Sequence, residues 1–288
     1  MKIVVLGSGG MLGHLVGYFL KEKYGPRVIL SARALTGLPL LDDGLEILDL
    51  LDTDRLKEFL DRHTPCVVVN CAAVNDPKKG TDVLDKINAQ LPHHIVSILN
   101  AKKDGSRLVH ISTDGVFRGE KGGYSEDDAP DSDDIYGRTK RAGEIFKHPH
   151  LTVRTSIVGP DPIGARGLLH WFLSQQQAVH GFTRVFWSGV TTLELAHFLD
   201  FAIDRDISGL YHLPSEKISK YDLLVLIRDV FGKKIEIEKE GKTFVDRSLV
   251  SHRDDISYRV SGHRQMLMDL KKWMEHHSPL YGKYLLRE

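Results

Sequence analysis

The opening segment KIVVLGSGGMLGHL is the strongest constraint on what this chain can fold into. A β-rich run from Lys2 to Leu6 breaks into glycine at Gly7, Gly9, Gly10 and Gly13. Apolar residues then recur at Met11, Leu12, Leu15, Val16, Phe19 and Leu20 with helical spacing. A strand that turns at once into a helix needs glycine at its corner, because glycine adopts positive φ freely. A bare backbone there also lets a pyrophosphate reach the N–H groups at the electropositive start of the helix. The spacing is G-x-x-G-x-x-G, since Leu12 stands where the G-x-G-x-x-G form would place its last glycine. The corner implies a nucleotide cofactor, with an ordinary strand–turn–helix corner as the alternative.

Strand-like runs follow at Arg27–Ser31, Leu45–Leu48, Cys66–Cys71, Arg107–Ser112 and Leu151–Thr155. Helical patterns lie between most of them, at Met11–Tyr24, Thr53–His63, Val83–Lys103 and Ile135–Lys147. This alternation predicts an α/β fold, a Rossmann-type doubly wound parallel sheet with helices on both faces. In the third helix Ile87, Leu91, Ile95, Ile98 and Leu99 form a packing stripe, and Pro92 has to sit at a bend. Beyond Thr155 the texture changes to helix-like pieces at Leu168–Val179, Leu193–Ile203 and Tyr221–Phe231, with one strand-like run at Leu210–Leu213. The expected division is residues 1–158 as a dinucleotide-binding domain and 159–288 as a smaller, mostly helical substrate lobe. Its strand near 210–213 is expected to return to the main sheet.

Thirty-nine basic residues balance 39 acidic ones, so no net field argues for nucleic acid or an anionic membrane. A small-molecule partner is the default, and a homodimer stays open. No apolar run approaches the roughly 20 residues of a spanning helix, and no charged leader precedes the first strand, so a cytoplasmic location is expected. The two cysteines, Cys66 and Cys71, have neither zinc spacing nor a disulfide framework and read as buried thiols. The pairs His93-His94 and His276-His277 invite a metal, but neighbours on a helix diverge by about 100°, so no metal site is assigned.

The run RLVHISTDGVF ends a strand in Ser112, Thr113 and Asp114, and shortly after it comes Tyr136-Gly137-Arg138-Thr139-Lys140 at the start of a helical pattern. Residues four apart share a helix face, so this phenol and ammonium can reach one site. A cation nearby is expected to lower the phenol's pKa and make Tyr136 a proton donor or acceptor near neutrality. In open parallel sheets ligands bind beyond the carboxyl ends of the strands, which is where Thr113 falls.

At these residues the chain resembles the extended short-chain dehydrogenase/reductases, and among them the dTDP-4-dehydrorhamnose reductases. The likeness runs through GSGGMLG, NCAAV, INAQLP, HISTDGVF, GGYSEDDAPDSDDIYGRTKRAGE and VRTSIVGP, in order, over more than half the chain. It implies that Thr113, Tyr136 and Lys140 are catalytic: Thr113 holds the carbonyl oxygen, Tyr136 is the general acid, and Lys140 holds the nicotinamide ribose and tunes the tyrosine. It implies that Gly7, Gly10 and Gly13 form the pyrophosphate loop, with Met11 and Leu12 contributing backbone. Asp49 and Leu50 would touch adenine, Cys71, Ala72 and Ala73 would line the cofactor, and Asn88 would be a structural asparagine.

The second strand ends in Ser31, Ala32 and Arg33, with no acid to accept a ribose 2′-hydroxyl. Arg33 can pair instead with a 2′-phosphate, so NADPH is the expected cofactor, with NADH as the alternative. The family often reads STDYVF where this chain has STDGVF, and its dehydratases read Thr-Asp-Glu. Gly115 offers no extra acid, so dehydration is disfavoured. The expected activity is reduction of the 4-keto group of a nucleotide-activated 6-deoxyhexose, in deoxysugar and surface-polysaccharide precursor synthesis. The alternatives are a nucleotide-sugar epimerase of the same family and a non-catalytic NADP-binding subunit, because the regulatory subunit of methionine adenosyltransferase is also similar. Beyond Pro160, Arg166, Arg184, Trp187 and Arg247 are the candidate substrate contacts on charge and aromaticity. Trp187 and Thr191 are the two retained.

Overall fold

Strands buried along their whole length must be covered on both faces, and every residue of Cys66–Asn70 and of Arg107–Thr113 is buried. The computed structural model describes residues 1–285. These two strands are the centre of a seven-stranded parallel sheet made of β1 (Lys2–Leu6), β2 (Val28–Ala32), β3 (Leu45–Ile47), β4 (Cys66–Asn70), β5 (Arg107–Thr113), β6 (Leu151–Thr155) and β7 (Gly209–His212). Their spatial order is β7-β6-β5-β4-β1-β2-β3. The order reverses between β1 and β4, and a crevice for a ligand opens at such a switch point.

Side chains alternate across β1 and divide the core. Ile3 and Val5 pack with Leu15, Val16 and Leu20 of α1 (Gly13–Tyr24), whereas Val4 and Leu6 pack with Leu56, Phe59 and Leu60 of α2 (Thr53–His63) and with Ile95 and Leu99 of α3 (Leu91–Lys102). The expected helix Val83–Lys103 is present without a break from Thr81 to Lys102, but carries a π-helical turn at Asp85–Gln90 between Thr81–Leu84 and α3. Pro92 lies just after the π-helical turn, so the irregularity the sequence requires around it is this wider turn.

The helix α4 (Ile135–Ala142) stops five residues before the expected Lys147. A Cβ on Gly143 would overlap the carbonyl of Asn88, so the chain passes this point only as glycine and then turns into the sheet. Past the turn, the backbone N–H of Ile145 donates to the Thr152 hydroxyl at 2.9 Å, and that hydroxyl donates back to the Ile145 carbonyl at 2.8 Å.

The chain beyond Thr155 holds more strand than its sequence pattern suggests. Val179–Phe182 pairs with Ile237–Glu240, Val185–Trp187 lies between Ile218–Ser219 and Val245–Asp246, and Ile157–Val158 pairs with Val190–Thr191. The expected helix Leu168–Val179 therefore ends at Ser174, because Val179 begins a strand. Three longer helices, α5 (Thr192–Asp204), α6 (Lys220–Phe231) and α7 (His263–His276), accompany these strands. Phe198, Leu199, Leu267 and Leu270 from α5 and α7 join the same core as Leu15 and Val16 of α1, so this part of the chain packs into the main sheet's own core. No helix among the described residues is long and apolar enough to cross a membrane.

Candidate active site

The glycine corner is built by close approach. Gly7 has φ of +80°, and a Cβ on it would lie 2.9 Å from the backbone N of Ala72. A Cβ on Gly13 would overlap the Gly7 carbonyl oxygen, so α1 can begin against the loop only as glycine. The Gly10 N–H closes the turn on the Gly7 carbonyl at 2.9 Å. His14, fully buried, donates from Nδ1 to the Gly10 carbonyl at 3.0 Å and accepts at Nε2 from the Tyr281 hydroxyl at 3.1 Å.

Beyond this corner lies a cleft of about 370 Å³ at the switch point. Gly7, Gly10, Arg33, Asp49, Leu50, Cys71, Ala72 and Ala73 line it. Met11, Leu12 and Gly13 do not; Leu12 is turned into the core, which leaves it only a backbone contribution. Cys71 is half-buried rather than enclosed, and burial pushes its thiol up to about 12, so it is a wall and not a nucleophile. Asp49 is exposed and accepts from the Leu51 N–H at 3.0 Å. A bare-backbone corner that any Cβ would fill, opening into a cleft of this size, fits a dinucleotide.

At the carboxyl end of β5 the reacting groups gather. Asp134 caps α4 by accepting from the Gly137 N–H at 2.7 Å, and a Cβ on Gly137 would overlap the Gly115 carbonyl. The helix therefore lies directly on the turn after Thr113 and brings Tyr136 to it. The Thr113 hydroxyl and the Tyr136 ring converge on Gly115, 3.2 and 3.6 Å from where a Cβ there would lie, and the same hydroxyl accepts from the Gly115 N–H at 3.0 Å and lies 3.3 Å from an Asp114 carboxylate oxygen. Burial pushes the Tyr136 phenol up to about 12, against the opposing pull of the Thr113 hydrogen bond.

The expected lowering of this phenol by Lys140 is therefore corrected. The ammonium is committed elsewhere, donating to the Ile111 carbonyl at 2.7 Å and lying 3.2 Å from His110 Nε2. Lys140 is 1% exposed, and burial brings it down to about 8. Cys71 of the cleft wall faces it, but Thr113, Tyr136 and Lys140 are not themselves among the residues that line the cleft.

Two polar anchors hold this arrangement from behind. Asn88 accepts from the Val74 N–H at 2.9 Å and donates to the Val74 carbonyl at 2.8 Å and to the Thr139 hydroxyl at 3.1 Å. It so ties the cleft wall to α4. Glu144, just past α4, makes a bidentate pair with Arg154 and accepts from Ser112 at 2.7 Å.

Residues 1–244 match the family model described as RmlD substrate binding domain. The chain belongs to this family. Its fold, a seven-stranded Rossmann-like sheet, is that of the dTDP-4-dehydrorhamnose reductases within the extended short-chain dehydrogenase/reductases, and it is an oxidoreductase of that kind. A similar relative is the probable low-salt glycan biosynthesis reductase Agl14 of Haloferax volcanii, 30% identical over 88% of this chain and 86% of its own. Among solved structures, a hypothetical dTDP-4-dehydrorhamnose reductase from Sulfolobus tokodaii superposes with a TM-score of 0.75 at 29% identity, over 91% of this chain and 96% of its own. A dTDP-4-dehydrorhamnose reductase from Bacillus anthracis, solved in complex with NADP, shares the fold with a TM-score of 0.77 at 19% identity, over 94% and 99% of the two chains.

Beyond Thr155 this RmlD-family chain corrects part of the sequence reading. The hydroxyl of Thr191, 1% exposed, caps α5 by accepting from the Glu194 N–H at 3.1 Å, so it is structural. Trp187 is also buried, but the Lys220 ammonium lies 4.9 Å from its ring centroid. Lys220 in turn faces Asp114, whose carboxyl burial pushes up, and is itself brought down to about 8 by burial. Arg247 also faces Asp114. Arg166, set aside in the sequence, lines the cleft with Ile163 and pairs with Asp161 at 2.9 Å. Arg184 is exposed over Phe244. Lys220, Lys79 and Ile163 carry no signal in the sequence, because only tertiary contact brings them to Asp114 or to the cleft. Among the described residues no group of three or more His, Cys, Asp or Glu side chains could hold a metal.

Proposed function

We propose that this reductase uses NADPH to reduce the 4-keto group of a nucleotide-activated 6-deoxyhexose. The observation that carries the reading is the convergence of the Thr113 hydroxyl and the Tyr136 ring on Gly115 at the end of β5, with Lys140 buried one helical turn on from the tyrosine. The bound cofactor would supply the hydride. Tyr136, with its proton held firmly by burial, is charged with an acid's task at neutral pH: it gives that proton to the carbonyl oxygen as the oxygen gains charge. Thr113 donates to the same oxygen and steadies the developing oxyanion, while the Gly115 N–H holds the threonine in place. Lys140 binds the ribose next to the nicotinamide.

Gly7, Gly10 and Gly13 with the backbone of Met11 and Leu12 would cradle the pyrophosphate, and Ala72, Ala73, Asp49 and Leu50 would line the remainder of the cofactor. Arg33, exposed at the cleft edge and without a salt bridge among the described residues, suits a 2′-phosphate. Trp187 and Lys220 would face the sugar. The absence of a carboxylate on Gly115 supports reduction over dehydration, and the retained Thr113, Tyr136 and Lys140 support an enzyme over a binding subunit.

The test follows NADPH absorbance against a panel of nucleotide-linked 4-keto-6-deoxyhexoses. Ketone-dependent oxidation, one NADPH per alcohol formed, is the expected result. Silence across the panel, or a change of sugar configuration with no net consumption of NADPH, would overturn it.

A further inference from the structure

The neighbours of Lys140 include a buried histidine for which the catalytic reading has no task. His110 lies on β5 with no exposed surface, between Asn70 of β4 and Lys140 of α4. Its Nδ1 is 3.2 Å from Asn70 Nδ2, and its Nε2 is 3.2 Å from Lys140 Nζ. Burial and the nearby lysine hold its pKa well below the usual value, so the ring is neutral and carries one N–H.

Which nitrogen carries that proton follows from Asn70. The Asn70 carbonyl oxygen accepts the Ala72 N–H at 3.1 Å, and a flipped amide would set two donors against each other there. The NH₂ of Asn70 therefore points at His110 Nδ1, which must be the acceptor, and Nε2 bears the hydrogen. That N–H points at Lys140 Nζ. An ammonium has no lone pair to receive it, whereas a neutral amine does. The amine can still donate to the Ile111 carbonyl at 2.7 Å. A charged lysine forces His110 to move its proton to Nδ1, against the Asn70 NH₂, and one buried hydrogen bond is lost.

We propose that His110, locked by Asn70 as the Nε2–H tautomer, is a positioning residue that favours the neutral amine of Lys140 and so sets the pH at which this lysine gives up its proton. The other groups facing Lys140 are the Cys71 thiol at the end of β4 and the Glu144 carboxylate beyond α4, and Glu144 acts in the opposite sense by favouring the ammonium. His110 itself is faced by His93 of α3 as well. The importance of the device for turnover rests on the reductase reading of Lys140, but the tautomer and the titration do not.

The test therefore uses the cofactor-free protein, labelled with nitrogen-15 in histidine and with carbon-13 and nitrogen-15 in lysine. Nuclear magnetic resonance reads the His110 tautomer and the Lys140 titration, with resonances assigned by their loss in His110→Gln and Lys140→Arg. The Nε2–H tautomer is expected in the native chain above about pH 8, where the lysine is the neutral amine. In His110→Gln the amide oxygen can turn to the ammonium, and the Lys140 midpoint should rise by about one pH unit. Asn70→Asp, which draws the imidazole proton to Nδ1, should move it the same way. A purely structural role would lower the melting temperature of these variants and leave the lysine's midpoint alone. An Nδ1–H tautomer in the native protein where the lysine is neutral overturns the inference without any variant, as does an unmoved lysine midpoint in His110→Gln. Failure of ketone-dependent NADPH oxidation would leave both readouts standing, so the two claims fail separately.

Discussion

Glu144 and Arg154 form a bidentate ion pair, with Nε–Oε1 and Nη2–Oε2 both at 2.7 Å and only 1% and 2% of their side chains exposed. The pair joins the turn after α4 to β6, and it is completed by the Ser112 hydroxyl and by His212, whose Nε2 is 3.2 Å from an Arg154 nitrogen. Removing one charge strands the other in the core. Glu144→Gln should therefore cost about 3–5 kcal/mol in urea unfolding, whereas replacing both partners together with leucine and methionine should cost far less. A loss no greater in the single variant than in the double one would contradict this account of the pair.

The glycine corner gives a prediction about affinity rather than stability. A methyl group on Gly13 meets the Gly7 carbonyl, and relieving that overlap must open the loop. Overpacking of this kind costs about 1–3 kcal/mol. If the distortion falls on the phosphate cradle, Gly13→Ala should weaken NADPH binding roughly ten- to hundredfold by calorimetry. Native affinity in that variant would show that the corner does not hold the pyrophosphate.

Cofactor choice is assigned to one exposed arginine. A hydrogen bond to a charged group is worth about 1.5–3 kcal/mol, so Arg33→Ala should lower kcat/KM for NADPH at least about tenfold. For NADH the value should stay within about twofold, since that cofactor lacks the 2′-phosphate. Equal losses with both cofactors would remove Arg33 from this role.

Acid stability should depend on His14. Burial holds its pKa at about 4, opposed by the hydrogen bond to Gly10, whereas the unfolded chain takes up the proton near 6.5. Between these values the unfolded state binds the extra proton, so stability present above about pH 6.5 drains away as pH falls toward 4. The limb amounts to about 3 kcal/mol from this residue. His14→Gln should flatten that part of the stability-against-pH curve, to be checked by urea midpoints between pH 7 and pH 4. An unchanged slope would mean that His14 titrates normally.

Much of the site could be read from the chain because the chemistry there is local. Gly7, Gly10 and Gly13 announce their corner through spacing alone, and Tyr136 and Lys140 lie four apart on one helix face. The helix carrying them was harder to bound, since its stop at Gly143 is dictated by the carbonyl of Asn88, far away in sequence. Lys220 opens α6 behind Ser219, which accepts from the Asp222 N–H, one residue before the expected start at Tyr221, and nothing in the sequence connects it to Asp114. Arg166 reaches the cleft only because its loop folds back over it. The strands beyond Thr155, such as Ile218–Ser219 and Val190–Thr191, are too short to display an alternation. Thr191 was misread because a capping threonine and a ligand-binding one look alike without coordinates.

The most direct test of the central claim compares the native chain with Tyr136→Phe in stopped-flow NADPH oxidation against a dTDP-linked 4-keto-6-deoxyhexose, with NADPH affinity measured in parallel. If the phenol is the general acid, turnover should fall roughly 10²–10⁴-fold while NADPH binds as before. Turnover at the native rate in the phenylalanine variant would contradict the account.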